Sequence, residues 1–134
     1  MKKITLFLLA AAVLSGCSTP SSLSPAMQAD LAKPIICKGS SECKTMWKRA
    51  FQFVSLNAGY KIYKANAVLI NTHVAREQSA RLSMSVEKSP LGSGIYQLKV
   101  KAWCNRTINI DQDCSPRVDE TLWRAQLFIR EGKE

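Results

Sequence analysis

The sequence predicts an α+β domain: a helix, a three-stranded antiparallel meander and a second helix, with both helices on one face of the sheet. Three observations carry this. Residues 41–58 repeat apolar side chains every three or four positions, the spacing of one buried helical stripe. Residues 80–87 and 95–104 alternate apolar and polar side chains, the pattern of strands covered on one side only. A second helical period follows the Ser115-Pro116 step. Two helices laid on one sheet face close a small sandwich.

Each element has its own signals. In the first helix Cys43, Met46, Trp47, Ala50 and Val54 form the stripe, Phe51 and Phe53 flank it, and Lys44, Lys48 and Arg49 are expected to point away. Ser40 or Ser41 suits the N-cap, and Gly59 suits a left-handed C-cap. Residues 60–63 and 67–72 read as one strand bent near 64–66. In the next strand Leu82, Met84 and Val86 share one face, with Arg81, Ser83, Ser85 and Glu87 on the other. Residues 90–94, Pro-Leu-Gly-Ser-Gly, form a turn. The third strand sends Tyr96, Leu98, Val100 and Ala102 inward and Gln97, Lys99, Lys101 and Trp103 outward. Ser115 is expected as N-cap of the last helix and Pro116 as its first residue. Asp119 and Glu120 then sit where the helix dipole favours acids, and Val118, Leu122, Ala125 and Ile129 form the stripe. Trp123 falls off that stripe.

The chain opens with Lys2, Lys3 and an apolar run over 4–14, too short to span a bilayer as a mature helix. Leu14-Ser15-Gly16-Cys17 closes the run and resembles the lipobox of bacterial lipoproteins. The resemblance implies cleavage before Cys17, acylation of its thiol and of the new amine, and a membrane anchor of three acyl chains. A thiol suits this chemistry because a hydroxyl is too weak a nucleophile at neutral pH. The chain then divides into a removed signal peptide at 1–16, a lipidated cysteine with a flexible Ser/Pro-rich tether at 17–36, and a single domain at 37–134. Ser18 stands where many lipoproteins kept at the inner membrane of enteric species have Asp. By that sorting pattern, the outer membrane, periplasmic side, is expected.

Of the 134 residues, 118 remain after removal of 1–16, enough for one modest core. Lys2 and Lys3 leave with the leader, so 19 basic residues become 17 against 10 acids, a charge of +7. A basic domain tied to a membrane suits anionic neighbours: lipid head groups, lipopolysaccharide phosphates or an acidic envelope protein. With Cys17 acylated, Cys37, Cys43, Cys104 and Cys114 remain, an even number suited to an oxidising compartment. Four cysteines allow three pairings; Cys37–Cys43 and Cys104–Cys114 are favoured because each pair brackets a short loop. The spacings do not suit a metal site, and neither metal nor cofactor is expected.

The helix–meander–helix order is also that of double-stranded-RNA-binding domains. Those place a lysine cluster at the start of the second helix. Here residues 115–120 read Ser-Pro-Arg-Val-Asp-Glu, partly acidic, so no nucleic acid is expected. Cys37-x5-Cys43-x2-Met46-Trp47-x2-Ala50, Gly59-Tyr60-Lys61-Ile62 and Ala102-Trp103-Cys104 resemble small proteobacterial lipoproteins with no established activity, over residues 37–114. That resemblance implies the domain limits and adds no chemistry.

Catalysis is not expected. His73 is the sole histidine, and no nucleophile elbow, metalloprotease helix or phosphate-cradling loop appears. Asp111 and Asp113 read as turn residues in the loop before Cys114. The strongest candidate surface is the polar sheet face, where Lys61, Tyr63, Arg81, Lys99, Lys101 and Trp103 fall on one side in a simple meander. A non-catalytic, lipid-anchored binding or accessory protein is therefore expected. An inhibitor or adaptor acting through the 105–114 loop and a small hydrolase using His73 are the alternatives.

Overall fold

The computed structural model describes residues 22–105 and 114–133. It is an α+β fold: one five-stranded antiparallel sheet, ordered β1-β5-β4-β3-β2, with three helices. The elements run α1 (Pro25–Leu31), β1 (Ile35–Lys38), α2 (Gly39–Asn57), β2 (Ile62–Ala65), β3 (Leu69–Thr72), β4 (Ser79–Gly92), β5 (Ile95–Asn105) and α3 (Val118–Glu131). Helices α2 and α3 share the inner face. Met46, Ala50, Phe53 and Val54 of α2 and Ala125 and Ile129 of α3 join Ile35, Ile70, Met84, Val86 and Leu98 in one buried cluster.

The sheet has two strands more than expected. Residues 60–72 are not one bent strand. Asn66 Oδ1 accepts the N–H groups of Val68 and Leu69, each at 2.9 Å, and this turn folds β2 back on β3. The other addition is β1, which pairs with β5 through Ile35↔Leu98 and Cys37↔Tyr96. It lies where the tether was expected to meet the domain. The apolar pair Ile35-Ile36 is too short to show a period, yet Ile35 is buried.

The 17–36 stretch also differs from a free tether. Ser24 accepts the Met27 N–H and Pro25 starts α1. Leu23 is buried, Gln126 of α3 donates to the Leu31 carbonyl at 2.7 Å, and Asp30 bridges Lys33 at 2.9 Å and Arg130 at 3.5 Å. The Lys33 ammonium, with Arg130 behind it, holds the Asp30 carboxyl below its usual pKa. From Ser22 onward the chain is part of the fold.

Both disulfides link the favoured pairs. Cys37–Cys43 fastens β1 to the first turn of α2, with Cα atoms 5.0 Å apart. Cys104–Cys114 fastens the end of β5 to the approach of α3, with Cα atoms 5.7 Å apart, and packs with Leu82 and Val118 in a second cluster. Loops of 6 and 10 residues restrict the unfolded chain by roughly 2–3 kcal/mol per bridge.

Helix ends are where the pattern misled. The N-cap of α2 is Lys38, whose N–H is taken by the Glu42 carboxylate, not by Ser40 or Ser41. Helix α3 begins at Val118 after Arg117, because Ser115 still donates its N–H to Ala80 of β4 at 2.9 Å. Phe53 is buried and Trp47 half-buried, the reverse of their expected ranks. Arg49 does not point away. It donates to the Ile129 and Arg130 carbonyls at 3.3 and 3.1 Å, capping the C-terminus of α3. Gly59 is not a left-handed cap either: a Cβ there would stand 2.7 Å from Arg81 Cβ and 3.1 Å from Leu82 N. Its smallness lets the chain leaving α2 press on β4.

Candidate functional site: the outer sheet face and the basin at its end

The register places the outer face. Met84 pairs with Ala102 and Val86 with Val100, both inward, so Ser83↔Trp103, Ser85↔Lys101 and Glu87↔Lys99 point outward, as the alternation predicts. On β3, Asn71↔Ser85 continues the outward row. Tyr63, on the edge strand β2, is exposed, with its ring 5.3 Å from that of His73 and its hydroxyl accepting from Asn71. Lys99, Lys101, Trp103 and Tyr63 therefore share this face.

Two features temper the expected basic face. Glu87, opposite Lys99, forms an ion pair with Lys101 at 3.3 Å between exposed side chains. Such a pair adds little stability but cancels charge locally. Trp103 is outward yet half-buried. Its partner Ser83 is fully buried although it also points outward, and Ser85 is nearly so. Small serines lie sunk between longer cross-strand neighbours.

Lys61 and Arg81 lie outside the paired rows of the register. They line an open basin of about 710 Å³ at the end of the sheet, together with Tyr60, His73, Val74 and Arg76. The framework is well fixed. Gly59 donates to the Leu82 carbonyl at 2.8 Å and His73 to the Lys61 carbonyl at 3.0 Å. The Tyr60 hydroxyl donates to Ser79 Oγ at 2.8 Å and accepts the Arg76 N–H at 3.0 Å. The Arg81 guanidinium stands over the Tyr60 ring, 5.3 Å from its centroid. The bonded Ser79 hydroxyl, the Arg76 N–H and the charges of Arg81 and Arg76 hold the Tyr60 phenol below its usual pKa. His73 joins the two regions, lining the basin and lying with its ring tilted 37° against that of Tyr63.

Sequence reasoning missed Tyr60 and Arg76, which lie outside regular strands where alternation gives no signal. For the hydrolase alternative, the Ser83 hydroxyl donates to the His73 backbone carbonyl at 2.8 Å, not to its imidazole. Asp111 and Asp113, and residues 106–113 of the loop in the adaptor alternative, lie outside the described residues, as does Cys17. Among the described residues no group of His, Cys, Asp and Glu is placed to hold a metal ion, and no helix is long and apolar enough to cross a membrane.

Residues 1–18 match the prokaryotic membrane lipoprotein lipid attachment site. The protein is a bacterial lipoprotein. It is lipid-anchored in the cell envelope, and the lipobox reading of its first residues is thereby supported. Comparison with curated proteins and with solved structures gave no match for the lipoprotein. The resemblance of residues 37–114 to small proteobacterial lipoproteins rests on its motifs alone.

Proposed function

We propose that this lipoprotein is a non-catalytic binding or accessory protein, anchored through acylated Cys17 on the periplasmic side of the outer membrane. Its partner is an envelope protein or anionic polymer that docks on the outer sheet face. One observation supports this above others: Lys99, Lys101, Trp103 and Tyr63 stand together on the face that neither α2 nor α3 covers. Trp103 and Tyr63 are the aromatic anchors that interfaces favour, and the flanking lysines steer an anionic partner toward them. The anchor keeps this surface at a membrane, where anionic head groups raise the local value of each lysine.

The test is a photocrosslinking residue placed at Lys99 in living cells, with the same probe at Ser55, exposed on α2, as control. A defined adduct from position 99 alone, lost when Lys101→Glu is added, is expected. Equal adducts from both positions, or an adduct indifferent to Lys101→Glu, would show that the face does not bind.

A further inference from the structure

We propose that the basin formed by Tyr60, Lys61, His73, Arg76 and Arg81 is a binding site for a phosphate group, the moiety that gives an envelope partner its negative charge. The inference goes beyond the sheet-face reading: it concerns a separate group of residues and names a ligand class for it. Three strong cations, from three separate segments, line one depression. None of the three makes an ion pair among the described residues; every ion pair there lies elsewhere. No carboxylate among the described residues lines the basin. Lys101, by contrast, has Glu87. Like charges gathered without a counter-charge repel one another, and a doubly charged oxyanion removes that repulsion.

The polar groups match phosphate in kind as well as in charge. Arg offers a planar fork of donors suited to two phosphate oxygens, and Lys a single strong donor. The Arg81 fork is oriented by the Tyr60 ring beneath it and by Gly59 packed at its Cβ. Arg76 is placed by the bond from its N–H to Tyr60 and by its carbonyl, which accepts from Ser79 at 3.1 Å. The Tyr60 phenol is held below its usual pKa, first by the bonded Ser79 hydroxyl and the Arg76 N–H and then by the charges of Arg81 and Arg76. At about 710 Å³ the basin exceeds a bare phosphate and leaves room for the group that carries it.

The chemistry is common to a lipid phosphomonoester and to a soluble phosphorylated compound, and one titration separates them. The mature lipoprotein in non-ionic detergent micelles, labelled with ¹⁵N, is titrated with inorganic phosphate, with chloride at matched ionic strength, and with phosphatidic acid added to the micelles. Phosphate is expected to produce saturating amide shifts confined to residues 59–61, 73–76 and 81. Chloride is expected to produce none. Phosphatidic acid saturating the same amides identifies the lipid source; phosphate acting without it identifies the soluble one. Arg76→Ala, a change at an exposed side chain, is expected to weaken binding at least tenfold, and Arg76→Ala with Arg81→Ala to abolish it. Lys99→Glu with Lys101→Glu is expected to leave it unchanged. Linear shifts reproduced by chloride, or undiminished binding in Arg76→Ala, would overturn the site. In that case an adduct from position 99 would still uphold the sheet-face reading. Phosphate binding without that adduct would instead uphold the basin alone.

Discussion

Trp103→Ala separates an outward ring from a core ring, and the structure sets the size of the effect. A core tryptophan truncated to alanine costs roughly 3–5 kcal/mol, and a freely exposed one about 0.5 kcal/mol or less. Trp103 is neither. It points outward opposite Ser83 and is half-buried. Covering ~100 Å² of apolar surface, about half of what an aromatic ring buries, gives ~2.5 kcal/mol at ~25 cal/mol per Å². Part is regained because the polar Ser83 beneath it tolerates water, leaving an expected loss of about 2 kcal/mol. For a domain of this size that lowers Tm by roughly 8 °C. Urea unfolding of residues 22–134, followed by far-ultraviolet circular dichroism, measures it, with Trp103→Phe recovering about half. A loss above about 4 kcal/mol would place the ring in the core and break the alternation argument for β5. A loss below about 0.5 kcal/mol would show a free ring covering nothing.

Arg49→Ala should cost about 2 kcal/mol by releasing two carbonyls at the end of α3, and Arg49→Lys about half that; equal stability of all three proteins in urea would refute the cap. Removing either disulfide with paired serines should cost roughly 2–5 kcal/mol, read by the same unfolding curves. Cys17→Ser should abolish incorporation of a clickable fatty acid in cells, and label equal to wild type would refute acylation there. The folded pKa of Asp30 is depressed, so its contribution is present above the unfolded value and fades as pH falls through the folded one. Asp30→Asn should therefore narrow the stability gap to wild type on acidification below about pH 4, and a constant gap would show that the carboxylate does not matter.

Long periodic elements were legible because burial on one side writes its own pattern. The stripes of α2 and α3 and the alternation of β4 and β5 follow from that, and so does the outward row of Lys99, Lys101 and Trp103. Strand β1 was hidden because four residues carry no period, and β2 because its turn depends on one Asn66 side chain closing two backbone bonds. Arg49 was misread because solvent and a helix C-terminus both attract a cation, and only the placement of α3 decides between them. The gathering of Lys61 and Arg81 with Arg76 was hidden for the same kind of reason. A simple meander puts Lys61 and Arg81 beside Lys101, whereas the β4 irregularity between Ser79 and Ser83 and the close approach of Gly59 carry Arg81 over Tyr60.

The packing of α1 bears on what partner the lipoprotein can meet. Ser22 donates from both its N–H and its hydroxyl to Asp119 at the start of α3, and Leu23 is buried behind it. With Cys17 in the bilayer, five residue steps reach Ser22, at most ~18 Å even when fully extended. A tether running to residue 36 would allow roughly 65 Å. The anchor is therefore short, and the end of the domain carrying the start of α3 stays beside the lipid. A domain of this size is about 30 Å across, so every point on it lies within roughly 50 Å of the bilayer surface. The sheet face and the basin can both reach membrane components or proteins standing close to them, and neither can serve a partner held deep in the compartment. A short anchor thus keeps the basic residues of the domain near lipid phosphates, and the phosphate ligand proposed for the basin is one that this position makes available.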